Sequence, residues 1–142
     1  MKTVIVNLVS DQTIPSLQFV KRYRAESNDF LFLTTPLMNK KGVTDNIIKA
    51  CNFTEEDDVQ ILEISATSYL DIKKALDNSS IYQSYQDRFI VNLTGGTKIM
   101  ALACLDYFRP LNAEIKYIGA GDVADTAKVG WLQRIITGVS PY

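Results

Sequence analysis

Val91-Asn92-Leu93-Thr94-Gly95-Gly96-Thr97-Lys98-Ile99-Met100 packs more chemistry into ten residues than any other part of this 142-residue chain. The apolar run from Arg88 to Leu93 reads as a strand, and a helix is predicted to start near Thr97. Two adjacent glycines let the backbone take positive φ and leave no Cβ in the way of a ligand. The helix start beyond them offers unpaired N–H groups and a partial positive charge. Thr94 and Thr97 add hydroxyl donors, and Lys98 adds an ammonium. These parts together predict an anion site, for phosphate first. A Gly-Gly pair between a strand and a helix also serves as a plain turn, but the flanking Thr and Lys are more than a turn needs. The loop is not a Walker A motif, because Thr97 precedes Lys98 and no glycine stands five residues before Gly96.

Working outward, the same strand-to-helix pattern repeats. Val4 to Val9 is a near-continuous apolar run, suited to a strand covered on both faces. The polar turn Ser10-Asp11-Gln12-Thr13 follows, and Pro15 then fits a first helical turn. Phe30 to Leu33 read as a second strand, stopped by Thr35-Pro36. A helix is expected over Asn39 to Asn52, with Gly42 weakening its start. Val59 to Ile64, Phe89 to Leu93 and Glu114 to Ile118 read as further strands, and Ser68 to Ser79 as a helix. Ile99 to Phe108 are apolar almost all round, which predicts a helix buried on more than one side, in the core or at a subunit interface. Val129 to Ile136 pass as a sixth strand, with Gly119 to Lys128 as a connection too irregular for a helix, so the last two strands are expected to pair antiparallel. The whole reads as one α/β domain over residues 1–142. Its expected form is a Rossmann-like open, mainly parallel six-stranded sheet with helices on both faces.

Composition narrows the function. Apolar residues make up 46% and charged residues 22%, the balance of an ordinary globular domain. A net charge of −1 argues against a wide polyanion-binding face, since long nucleic acid needs many phosphate contacts; a small local phosphate site stays open. Cys51 and Cys104 lack metal spacing and read as buried, reduced thiols of a cytoplasmic protein. The first apolar run is broken by Ser10-Asp11-Gln12, so it is no secretory signal. No segment reaches the roughly 18 apolar residues of a membrane span. The acidic run Glu55-Glu56-Asp57-Asp58 reads as a solvated loop.

In an open α/β sheet, ligands bind at the carboxyl ends of strands where the strand order reverses. A Rossmann order puts the first and fourth strands beside that crevice. Their loops are Ser10-Asp11-Gln12-Thr13 and Thr94-Gly95-Gly96-Thr97-Lys98, both polar and both opening helices. The first loop, taken alone, reads equally as a helix cap with an Asx-turn. Gly119-Ala120-Gly121-Asp122-Val123-Ala124 matches a dinucleotide fingerprint only formally, with no helix or distal acid to follow. The chain has no histidine, which removes Ser-His, Cys-His and His-metal chemistry. No carboxylate cluster has metal spacing, and neither a metal nor another cofactor is expected.

The two loops carry a family resemblance. Val6-Asn7-Leu8-Val9-Ser10-Asp11-Gln12-Thr13-Ile14-Pro15 and Asn92-Leu93-Thr94-Gly95-Gly96-Thr97-Lys98-Ile99-Met100 are similar to the two ligand motifs of CARF domains. These are the CRISPR-associated Rossmann-fold sensors of cyclic oligoadenylates, here of the kind found in nuclease effectors. The resemblance implies a homodimer with one two-fold symmetric pocket for cyclic tetra-adenylate, or less favourably the hexa-adenylate. It implies ligand contacts from Ser10, Asp11, Gln12, Thr13, Asn92, Thr94, Gly95, Gly96, Thr97 and Lys98. Such effectors continue into a nuclease, and no restriction-type acid and lysine cluster is left here to assign. The domain is then expected either as the sensor part of a longer effector or as a stand-alone protein. As a stand-alone protein it would act either as a sponge that sequesters the messenger or as a metal-independent ring nuclease, in which a ribose 2′-OH attacks the adjacent phosphate, the 5′-oxygen leaves and a 2′,3′-cyclic phosphate remains. Lys98 would then stabilise the phosphorane while Ser10 or Thr13 holds the ribose.

Overall fold

The computed structural model describes residues 2–79, 87–118 and 123–125. Strand β1 (Thr3–Leu8) leads to helix α1 (Thr13–Tyr23), and β2 (Asp29–Thr34) to the short α2 (Pro36–Lys40) and α3 (Val43–Ala50). Then come β3 (Asp58–Glu63), α4 (Tyr69–Asn78), β4 (Arg88–Asn92), α5 (Lys98–Phe108), β5 (Ala113–Ile118) and β6 (Val123–Asp125). Among the described residues these strands form one sheet in the order β3-β2-β1-β4-β5-β6. β1 to β5 run parallel, and β6 pairs antiparallel with β5, with Val123 opposite Ile118. The expected class holds. The sixth strand, however, lies at Val123–Asp125, inside the stretch read as a connection. The strand expected at 129–136 lies outside the described residues.

The apolar runs of the central strands serve two cores, one on each face of the sheet. Val4, Val6 and Leu8 of β1 join Leu31, Leu33, Phe89 and Val91 on one face, against Ile72 and Leu76 of α4 and Met100, Cys104 and Phe108 of α5. Ile5, Phe30, Phe32 and Ile90 line the other face with Phe19, Val20 and Tyr23 of α1 and Ile47 of α3. This is the period-two alternation of a strand buried on both sides. Burying a side chain such as Phe19 or Phe32 contributes about 1.5–3 kcal/mol. The apolar character of α5 is largely used up inside the domain: six of its residues are buried. The Tyr69 hydroxyl of α4 also donates to the Asp106 carboxylate of α5.

Two local expectations are corrected. The helix expected over 39–52 is two helices. Thr35 caps α2 by accepting from the Met38 N–H, Pro36 occupies the first turn, and Gly42 breaks the run at φ 75°. That left-handed conformation is open to glycine and costly for other residues. The acidic run before β3 is not wholly solvated. The Asp57 side chain is 3% exposed and accepts from Arg24 at 2.7 Å and from the Thr54 N–H at 2.8 Å. It ties the turn before β3 to the end of α1.

Candidate functional site

β1 and β4 lie side by side at the centre of the sheet, with Asn7 opposite Asn92. The chain leaves β1 for the α1 face and leaves β4 for the α5 face. The loops after these strands therefore diverge and open a crevice between them.

The Gly-Gly loop is tightly held. The side-chain oxygen of Asn92 accepts from the Thr94 N–H at 2.9 Å and from the Thr94 hydroxyl at 2.5 Å. The Asn92 amide donates to Asn7 Oδ1 at 2.7 Å, and the Asn7 amide donates to Ser16 Oγ in the first turn of α1 at 2.8 Å. Asn7, Ser16 and Asn92 are all buried. An unpartnered amide at such depth costs about 1–3 kcal/mol, so the chain of bonds makes these polar residues tolerable inside the sheet. The two glycines have different reasons. Only Gly96 takes positive φ, at +80°. Gly95 is a close-approach glycine: a Cβ there would stand 2.3 Å from the Leu8 carbonyl oxygen. Its bare backbone makes room for β1, which corrects the expectation that both glycines serve φ and ligand access.

Thr97 caps α5. Its hydroxyl accepts from the Met100 N–H at 3.2 Å and donates to the Ala66 carbonyl at 2.6 Å, in the loop after β3. A hydroxyl has one proton. The protons of Thr94 and Thr97 are both committed to internal acceptors, so these residues are not the free donors expected from the sequence. What the helix start does offer is the N–H groups of Lys98 and Ile99, which have no acceptor within the helix, and the exposed Lys98 side chain.

The first loop is loosely held. Ser10 Oγ lies 3.3 Å from the Gln12 nitrogen and 3.4 Å from the Gln12 carbonyl oxygen, so the turn is made by the serine rather than by Asp11. Gln12 stands at the cap of α1 without a side-chain bond. Asp11 is 3.8 Å from Lys41 Nζ in an exposed pair. Thr13 opens α1 and is half-buried.

A cleft of about 670 Å3 lies over the carboxyl ends of the strands. Ser10, Asp11, Gly96 and Thr97 line it; Gln12, Thr13, Asn92, Thr94, Gly95 and Lys98 do not. Asn92 and Gly95 are buried behind the loop instead. The cleft also takes in Thr35, Pro36, Leu37 and Met38 after β2, and Ser65 and Ala66 after β3, which sequence reasoning passed over. Their signal was available: every loop that follows a parallel strand opens on the same edge of the sheet, and Thr35-Pro36 has the grammar of a helix start. Val9, Met38, Ala66 and Met100 give the cleft apolar walls, while Ser10, Asp11, Thr35, Ser65 and Thr97 supply polar groups. Such a site suits a ligand with apolar faces and hydrogen-bonding groups at its edges.

Nucleophilic chemistry finds little support in the thiols. Burial pushes Cys104 up to about 12. Burial also pushes Cys51 up to about 11, against the opposing pull of Arg24. Both stay protonated near neutrality. Among the described residues no group of three or more Cys, Asp or Glu side chains could hold a metal ion, and no helix is long and apolar enough to cross a membrane.

Solved structures share this architecture. Can2 from Sulfobacillus thermosulfidooxidans, solved in complex with cyclic tetra-adenylate, is 24% identical with a TM-score of 0.67, over 87% of this chain and 36% of that one. A type III CRISPR defence DNA nuclease activated by cyclic oligoadenylate is 18% identical with a TM-score of 0.61, over 89% of this chain and 20% of that one. Csm6 from Enterococcus italicus, bound to cyclic hexa-2′-fluoro-hexa-dAMP, is 15% identical with a TM-score of 0.60, over 97% of this chain and 38% of that one. At these identities the likeness is one of fold, and the chain spans between a fifth and two fifths of each protein. A stretch of 33 residues is 67% identical to a flagellar L-ring protein of Cereibacter sphaeroides, over 23% of this chain and 15% of that protein; it is shorter than a domain and carries no argument about fold. The family profile of the Card1 CARF domain matches residues 4–129, from β1 through β6 and across both loops, and the chain belongs to that family.

Proposed function

We propose that this domain is a sensor that binds cyclic oligoadenylate, cyclic tetra-adenylate first, in type III CRISPR antiviral signalling. The observation that carries the reading is the cleft at the β1/β4 switch point in a chain of the Card1 CARF family. In this reading the N–H groups opening α5 and the Lys98 ammonium meet phosphates. Ser10, Asp11, Gln12 and Thr13 address ribose and base edges, while Asn92, Thr94, Gly95, Gly96 and Thr97 shape the loop. A cyclic tetranucleotide carries four negative charges, and one copy offers one Lys98 and one Gly-Gly loop. Two copies about a two-fold axis supply two of each. Ile14, Leu37, Leu70 and Ile99 support a homodimer. Each is exposed, each is the second residue of a helix, and all four helices start at the carboxyl edge of the sheet. A second copy laid over that edge would cover them and close the cleft. The expected setting is the cytoplasm, and no membrane or long nucleic acid is needed as a partner.

Calorimetry of the purified protein with cyclic tetra-adenylate in EDTA tests the reading, followed by product analysis and sedimentation. Tight binding with an intact ring, at one ring per two chains, is the expected result. Absence of binding would overturn the sensor reading. Conversion of the ring to products ending in 2′,3′-cyclic phosphate would replace it with the ring nuclease, with Lys98, Ser10 and Thr13 in the roles named above.

A further inference from the structure

We propose that Asn7, which is buried and does not line the cleft, is a positioning residue that sets the geometry of the Gly-Gly loop through Asn92. Asn7 is 1% exposed, as is Asn92, and the two face each other in register on adjacent central strands. The hydrogen bonds between them run in one direction. The Thr94 backbone N–H can only donate, so the oxygen of Asn92 must face it. The Asn92 amide nitrogen must then face Asn7, whose oxygen accepts. The Asn7 nitrogen in turn points at Ser16 Oγ, which accepts on α1. One backbone amide in the Gly-Gly loop thus orients three side chains, Asn92 of β4, Asn7 of β1 and Ser16 of α1. The relay physically joins the helix behind the first loop to the second loop, across the floor of the crevice. Removing Asn7 leaves the Asn92 nitrogen buried without an acceptor, and the relief available to Asn92 is to turn away from Thr94. The loop then loses the two bonds from Asn92 to Thr94, three residues before α5 is capped.

The consequence for ligand affinity rests on the sensor reading; the relay itself does not. The test is Asn7→Leu in the full chain, with hydrogen exchange at individual amides followed by NMR and cyclic tetra-adenylate affinity by calorimetry. The Thr94 amide should exchange about tenfold faster relative to Val91 in the same strand run, and affinity should fall by about tenfold. Equal acceleration of Thr94 and Val91 would mean that Asn7 only stabilises the sheet and would overturn the proposal, as would an unchanged Thr94. Faster Thr94 exchange with wild-type affinity would overturn the link to the ligand. Where the leucine variant does not fold, Ser16→Ala removes the far acceptor instead, and a rise of about threefold at Thr94 is expected, no rise being the refuting result. If the wild-type protein binds no cyclic tetra-adenylate, the sensor reading fails and the exchange ratio alone still decides the relay.

Discussion

The two loops that flank the crevice are built on opposite plans. The loop after β4 is fixed from three directions: Asn92 holds Thr94, Gly95 lies against the Leu8 carbonyl, and Thr97 bridges Met100 and Ala66. The loop after β1 has a single local turn at Ser10, an uncapped helix start at Gln12 and an exposed ion pair between Asp11 and Lys41. One side of the crevice is pre-organised and the other can adapt. Pre-organised donors do not lose conformational entropy again on binding, so the rigid side suits a fixed feature of a ligand such as phosphate. The adaptable side suits features that vary in position, such as ribose and base edges.

That contrast is most directly broken at Gly95. Gly95→Ala sets a Cβ against the backbone of the central strand, which cannot retreat without opening the sheet. A loss of about 3 kcal/mol in denaturant unfolding is expected; native stability would show the loop to be far softer than its contacts suggest. Lys98→Ala comes next and should act on the ligand alone. Cyclic tetra-adenylate affinity should weaken by about 1.5–3 kcal/mol per charge-assisted contact, with unfolding unchanged. Unaltered affinity in calorimetry would remove Lys98 from the phosphate site.

Thr97→Val keeps the shape of the side chain and deletes both of its hydrogen bonds. A thermal melt should register a loss of about 1 kcal/mol, the usual worth of a helix cap. A neutral result would mean that α5 needs no anchor at its start. The smallest effect belongs to the other loop. Asp11→Asn cancels an exposed pair, so stability should change by under about 0.5 kcal/mol, and less still at high salt. A larger, salt-insensitive loss would show the first loop to be as firmly built as the second.

The alternation of apolar strands and amphipathic helices, the class of the sheet and the position of both loops were legible in the amino-acid order, because periodicity and turn chemistry are local properties of the chain. The start of α5 at the Thr97 cap was legible for the same reason. What depended on neighbours distant in the chain was not. Gly95 is glycine because Leu8, 87 positions earlier, comes to lie against it. The Thr97 proton is spent on Ala66, 31 positions away. Asn7 and Asn92 meet only because β1 and β4 are adjacent in the sheet, and the covered Asp57 carboxylate finds its cation in Arg24, 33 positions away. The loops after β2 and β3 join the cleft through the same strand order. Sequence spacing reports which groups a segment carries; strand order decides which of them face one another, and so which donors remain free for a ligand.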